Sequence, residues 1–153
     1  MAIFFAFAVF IGSALLFCLQ PMLGRALLPI FGGSSHIWTV CLVVYQSLLL
    51  AGAIYANGIS RLDKLKQRML HLPLLFLSFL WIIGVAIYKG ELSNFAIGAS
   101  STLQECCNAV LLILFSVGLP YIVLGAGSSL LQKWAADSLG SGRETYRLYV
   151  ISN

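Results

Sequence analysis

The chain has 153 residues, of which 60% are hydrophobic and only 9% are charged, and its mean hydropathy is +0.96. A soluble domain carries about a quarter charged residues, so this composition excludes a water-soluble globule and indicates an integral membrane protein. The formal net charge of +4 comes from basic residues that cluster between the apolar stretches. Positive charge in such segments sets membrane topology and attracts anionic lipid, and we expect no nucleic-acid partner.

Four stretches of the chain contain no Asp, Glu, Lys or Arg: residues 2–19, 37–59, 70–88 and 109–131. Each is about as long as the roughly 20 apolar residues that cross a bilayer as a helix. The first stretch lacks the basic start and the cleavage site of a signal peptide, so we expect it to stay in the protein. The pattern predicts an all-α, polytopic membrane helix bundle with four complete transmembrane helices in one domain, whose partner is the lipid bilayer.

The connection after the first stretch contains Gln20, Pro21 and Arg25. A proline inside a helix removes one hydrogen bond and disfavours a straight continuation. Either the first span is long and kinked, or a short second segment lies along the membrane interface. In both cases Arg25 either extends toward the lipid headgroups or faces a polar cavity in the bundle, where it would be functional.

The distribution of basic residues predicts the orientation. The connection at residues 61–68 carries four of them and three more follow the fourth stretch, whereas only Arg25 and Lys89 lie on the other face. Basic residues are concentrated on the cytoplasmic side of membrane proteins. We therefore expect a multi-pass protein of the inner (plasma) membrane, with its amino terminus and the 61–68 connection in the cytoplasm.

Aromatic residues and one proline predict further features of the spans. Trp38, Trp81 and Trp134 lie at or near span ends, as in the aromatic belts at membrane interfaces. Pro120 lies inside the fourth span and predicts a kink with a locally exposed carbonyl group. Small residues four positions apart, as at Gly52 and Ala56, predict that helices approach closely; the other such pairs are Ala8/Gly12 and Gly125/Ser129.

The polar side chains within the spans are amides and hydroxyls, and no carboxylate is among them. Coupling to protons or sodium usually needs an intramembrane carboxylate, so we do not expect a stand-alone antiporter. Gln20, Arg25 and Gln46 are predicted to form a polar cluster near the outer face, because such groups are costly to leave in lipid.

The sequence predicts no catalytic, cofactor-binding or metal site in this chain. It contains no phosphate-binding loop and no hydrolytic constellation, and His36 and His71 fall on opposite faces of the predicted membrane topology. The four cysteines have no metal-ligand spacing and are interpreted as small hydrophobic residues buried in helix packing.

The chain ends on a new apolar pattern that starts at about residue 146. It resembles the first turns of a fifth span without a cap or a charged tail. We therefore expect an amino-terminal fragment, or a truncated reading frame, of a longer protein, with a truncated fifth span.

Short motifs follow one another along nearly the whole chain: Gln20-Pro21-x-x-Gly24-Arg25-x-Leu27-Leu28-Pro29, Gly32-Gly33-Ser34-x-x-x-Trp38, Gln46-x-Leu48-Leu49-Leu50-Ala51-Gly52-x-x-Tyr55-Ala56, Ser116-Val117-Gly118-Leu119-Pro120, Leu130-Leu131-Gln132-x-Trp134 and Tyr146-x-Leu148-Tyr149-x-x-Ser152-Asn153. Together they resemble the membrane region of the fused transporter-like/spermidine synthase-like bacterial proteins. In that family a membrane segment related to major-facilitator transporters precedes a soluble aminopropyltransferase-like domain.

The resemblance implies a membrane module, anchoring or transporter-like, of a larger spermidine synthase-like protein. Its partners would be the downstream spans and the soluble domain. One alternative is a fragment of a membrane-bound aminopropyltransferase-like enzyme whose catalytic domain lies downstream. Another is a structural subunit that docks on a different membrane protein.

Overall fold

The computed structural model describes residues 2–31, 34–87 and 101–139 of the protein. The helices are α1 (Ala2–Phe31), α2 (Ser35–Ile59), α3 (Lys64–Ile87), α4 (Thr102–Ile113) and α5 (Leu119–Leu139), and a π-helical segment, Leu114–Gly118, joins the last two. The described residues contain no strand.

Within these described ranges, four helical stretches are long and apolar enough to cross a membrane: α1, α2, α3, and α4 with the π-helical segment and α5 as one continuous stretch. The predicted all-α membrane bundle is thereby confirmed. The expected start of a fifth span at residue 146 lies outside the described residues.

The first helix is one long element that continues through its prolines. α1 is 30 residues long and includes both Pro21 and Pro29. Of the two alternatives for this region, the structure has the long first helix, and no separate interfacial segment follows residue 19. Apolar side chains on both sides of Pro21 keep the segment in a nonpolar environment, where a helix is the way for a single segment to satisfy its backbone polar groups.

α5 is the central element, because it packs against α1, α2 and α3. Its contact with α2 is tight at Gly52, where an added Cβ would lie only 2.8 Å from the carbonyl oxygen of Ile122. Ala56 and Ala126 are buried in the same contact region. The predicted close approach is confirmed at Gly52, but an added Cβ at Gly12 would meet nothing within 4 Å.

The π-helical segment ends two residues before Pro120. Proline lacks the amide hydrogen that would bond to Ser116, and its ring crowds the carbonyl of that residue. In the π-helical segment each amide bonds to the carbonyl five residues earlier instead of four, and this shift in register relieves the conflict. Within the segment, the carbonyl oxygen of Phe115 accepts a hydrogen bond of 2.9 Å from the indole nitrogen of Trp81 on α3. This bond agrees with the locally exposed carbonyl that was expected near Pro120.

The basic end of the bundle is the end at which α2 stops and α3 begins. The indole nitrogen of Trp134 donates to the side-chain oxygen of Gln67 over 2.7 Å, and the amide of Gln67 donates to the carbonyls of Leu62 and Ser60. These bonds satisfy backbone groups left free at the end of α2 and attach the α2–α3 connection to α5. Trp134 lies near the end of α5, as predicted, but its ring is buried and does not face outward as a residue of an aromatic belt would.

The opposite end of the bundle brings the starts of α2 and α4 together. The ring nitrogen Nε2 of His36 lies 3.6 Å from a carboxylate oxygen of Glu105. His71, by contrast, contacts Trp134 at the basic end, with ring centroids 6.3 Å apart. The two histidines therefore lie at opposite ends of the bundle, as predicted.

Candidate functional site: a polar cavity between α1, α2 and α5

A cavity of about 290 Å³ lies where α1, α2 and α5 meet. Its walls combine apolar side chains such as Leu16 and Leu49 with hydroxyl and amide groups. The polar side chains that line it are Ser13, Gln20, Tyr121, Ser128, Ser129 and Gln132. The cavity is thus a polar site among helices that are otherwise apolar.

Helical periodicity explains why these groups meet. Ser13 and Gln20 are seven residues apart on α1, which is close to two helical turns and places them on one face. On α5, the intervals between Tyr121, Ser128 and Gln132 are seven and four residues, which also correspond to one face. Packing α1 against α5 therefore brings two polar stripes into opposition.

The best-defined polar contact in the cavity joins the two stripes. The side-chain nitrogen of Gln20 donates to the hydroxyl oxygen of Tyr121 over 2.7 Å. The Tyr121 ring also contacts the Tyr45 ring on α2, with centroids 5.4 Å apart. The hydroxyl of Tyr45 is buried and has no hydrogen-bond partner among the described residues. The contact orients Tyr121 and fixes one wall of the cavity.

Among the described residues, no Asp, Glu, Lys or Arg lines the cavity, so its described walls offer hydrogen bonds but no formal charge. Hydroxyl and amide groups both donate and accept hydrogen bonds, so they can satisfy a neutral polar molecule. A polyamine would bring ammonium groups that these residues cannot neutralise, and an unpaired charge away from water is strongly unfavourable. The chemistry of the cavity therefore fits an uncharged polar ligand.

The structure separates the residues that were predicted to cluster. Gln20 lines the cavity, whereas Arg25 and Gln46 are exposed and make no hydrogen bond or ion pair with other described residues. Neither of them lines this cavity. The predicted association of Gln20 with Arg25 and Gln46 is thus absent, because Gln20 bonds to Tyr121 on α5 instead.

The remaining predicted site residues, Pro21, Trp38 and Pro120, lie outside the cavity. Pro21 is exposed on α1, next to Gln20. The side chain of Trp38 is 45% exposed. Its ring packs against Gly24, since a Cβ added to Gly24 would lie only 2.6 Å from the Cζ3 atom of Trp38. Pro120 is fully buried, two residues after the end of the π-helical segment.

Sequence reasoning missed the contribution of α5 to the site. Tyr121, Ser128 and Gln132 were not among the predicted site residues, although their spacing on one helical face was a usable signal. The cysteine interpretation is correct for Cys41, which is buried, and wrong for Cys18 and Cys107, which are exposed. Residues 2–31, 34–87 and 101–139 contain no cluster of three metal-ligating side chains.

Comparison with protein-family models, curated proteins and solved structures finds no match to this chain.

Proposed function

We propose that this protein is a transporter-like membrane module that binds an uncharged polar solute, such as a polyol or an amide, in the cavity between α1, α2 and α5. We further propose that it is the membrane region of a larger protein of the fused transporter-like/spermidine synthase-like kind. The motifs quoted above support the second part. The first part depends on the cavity.

The observation that carries the proposal is the concentration of hydroxyl and amide groups in one cavity of an apolar bundle. Polar groups are unfavourable at membrane depth unless they pair or face a cavity, so they commonly mark solute pathways. The volume of about 290 Å³ is near the lower end of the range for small-molecule sites, roughly 300 Å³. It suits a small solute.

Flux measurements on the full chain in proteoliposomes test the proposal. Glycerol and urea serve as uncharged probes and spermidine as a charged probe, and light scattering after an osmotic step reports their entry. The Ser128→Leu substitution places a bulky apolar group in the cavity wall, so we expect glycerol and urea flux to fall toward that of empty vesicles.

The matched control is Ser47→Leu. Ser47 is exposed on α2 and bonds only to the carbonyl of Val43 in its own helix, so flux should not change. Wild-type flux equal to that of empty vesicles for both uncharged probes would refute the transport proposal. Unchanged flux in Ser128→Leu would show that solute does not pass through this cavity.

An anchoring role is the second candidate, and the outward faces of α1 and α3 favour it. Only 11% of the most apolar window of each helix is buried in the bundle, compared with 56% for the continuous α4–α5 stretch. Such surfaces suit lipid or further membrane segments. A soluble reporter fused to the chain should remain in the membrane fraction after carbonate extraction, and the Ser128→Leu substitution should leave this result unchanged.

A further inference from the structure

A second pocket, of about 240 Å³, lies between α2 and α5 at the basic end of the bundle. Lys133, Asn57, Ser60 and Ser129 contribute polar groups to it. Its remaining lining is apolar and comes from Ala53, Ala56 and Leu130. Only Ser129 also lines the polar cavity described above, so the two sites have different chemistry.

The ammonium group of Lys133 lacks an anionic partner in the described part of the chain. Lys133 is half-buried, and its amine donates to the carbonyl oxygen of Ser60. The nearby carboxylates of Asp63 and Asp137 form their ion pairs with Lys66 and Lys64, at 3.5 and 3.3 Å. A partly desolvated charge is unfavourable without a counter-charge, so this amine favours an anion in the pocket.

The groups around Lys133 suit an oxyanion with several acceptor oxygens. The Asn57 amide and the Ser129 hydroxyl are neutral hydrogen-bond donors in the pocket wall. Arg61, which follows Ser60 in the chain, is exposed and forms no ion pair with another described residue, so it adds positive charge at this end. Phosphate groups are bound in proteins by this combination of a lysine and neutral donors.

The apolar part of the pocket indicates which kind of molecule carries the anion. Ala53 and Ala56 precede Asn57 on α2, and Leu130 precedes Lys133 on α5. The amide of Asn57 and the amine of Lys133 therefore lie nearer the end of the bundle than the apolar wall. A phospholipid has the same arrangement, with a phosphate next to apolar chains. Residues 61–68, which span the α2–α3 connection and the start of α3, carry four basic residues and also favour anionic lipid at this end.

We propose that the pocket formed by Asn57, Ser60, Ser129 and Lys133 binds the phosphate group of an anionic phospholipid. Free phosphate shares the recognised chemistry, and the lipid is favoured by the apolar wall. The proposal is independent of solute transport, since it concerns a different pocket and predicts lipid binding whether or not the cavity conducts.

Thermal unfolding of the full chain in nonionic detergent tests the site. Phosphatidylglycerol is titrated, with phosphatidylcholine as the zwitterionic reference and inorganic phosphate as the chain-free anion. We expect phosphatidylglycerol to raise Tm. Lys133→Gln should increase the half-saturating lipid concentration about fivefold or more, because it removes the ammonium group that contacts the phosphate inside the pocket. The matched control, Lys66→Gln, removes an exposed lysine at the same end and should change it little.

The outcomes are distinguishable. An equal response of Lys133→Gln and wild type to phosphatidylglycerol would overturn the site. If inorganic phosphate gives the full Tm shift at the same concentrations as the lipid, the anion site stands and its assignment to lipid is overturned.

A second variant, which fills the pocket without changing Lys133, tests the same site if Lys133→Gln does not fold. Ala53→Leu fills the apolar part of the pocket and leaves Lys133 in place, so the response to phosphatidylglycerol should weaken about fivefold or more. Ala86→Leu adds the same side chain at an exposed position on α3 and should respond as wild type. An unchanged response in Ala53→Leu would also overturn the proposal.

Discussion

At the scale of single residues, the two buried tyrosines between α2 and α5 have opposite hydrogen-bonding situations. The Tyr121 hydroxyl accepts from Gln20, whereas the Tyr45 hydroxyl has no partner among the described residues. A buried hydrogen bond contributes little net free energy, but leaving a buried group unpaired has a larger cost. The same substitution at the two positions should therefore have different effects.

We expect Tyr121→Phe to lower the free energy of unfolding by about 1 kcal/mol, because it leaves the Gln20 amide unpaired. Tyr45→Phe removes a hydroxyl without a partner and should be neutral or stabilising. Unfolding by dodecyl sulfate in mixed micelles measures both. A larger loss for Tyr45→Phe than for Tyr121→Phe would contradict this account of the site.

The hydrogen bond from the Trp81 indole to the carbonyl of Phe115 joins α3 to the π-helical segment. Trp81→Phe keeps the ring contact with Phe115, at 5.3 Å between centroids, but removes the hydrogen bond to the carbonyl of that residue. We expect a loss of about 1 kcal/mol in the same unfolding measurement. Trp38→Phe is the control, because the indole of Trp38 makes no hydrogen bond with other described residues. Comparable losses of unfolding free energy in the two variants would show that the Trp81–Phe115 hydrogen bond does not explain the effect.

Among the helices, the contact between α2 and α5 shapes both the polar cavity and the pocket at the basic end. Both contain residues of α2 and α5, and Gly52 lies between Leu49 of one and Ala53 of the other. The backbone of Ile122 is so close that Gly52 has no room for a side chain. Small residues allow this approach, which matters because lipid provides little hydrophobic drive for helix association.

Gly52→Ala should force the two helices apart. We expect it to reduce the unfolding free energy by about 1–3 kcal/mol, as overpacking does, and to alter solute flux and lipid binding together. Gly58→Ala in the same helix meets nothing within 4 Å and should be neutral or slightly stabilising. Equal stability of the two variants in dodecyl sulfate titrations would contradict the close packing.

At the level of the whole molecule, the four charge-free stretches correctly predicted the four apolar helical stretches of the described residues. Their limits were less predictable, because α4 begins at Thr102 rather than near residue 109. The side chain of Ser101 caps this helix by accepting from the backbone of Gln104, so polar residues before the apolar stretch are helical as well.

The cavity was less accessible to sequence reasoning than the spans. Gln20 could be identified as a polar residue near lipid, but its partner Tyr121 is 101 residues away and depends on how α1 packs on α5. The predicted pairing with Arg25 and Gln46 assumed that polar groups of neighbouring spans meet. Instead, the last helix takes the central position and supplies the partner.

The two cavity sites and the orientation of the basic end all depend on how the helices cross the membrane, which cysteine accessibility measures. In a background with the four native cysteines replaced, single cysteines at Ser35 and Thr102 report one end of the bundle, and those at Leu65 and Ser138 report the other. An impermeant thiol reagent applied to intact cells should label positions 35 and 102, while 65 and 138 should react only after permeabilisation. Labelling of positions 35 and 65 from the same side would contradict a membrane-spanning α2, and labelling of 65 and 138 in intact cells would reverse the orientation.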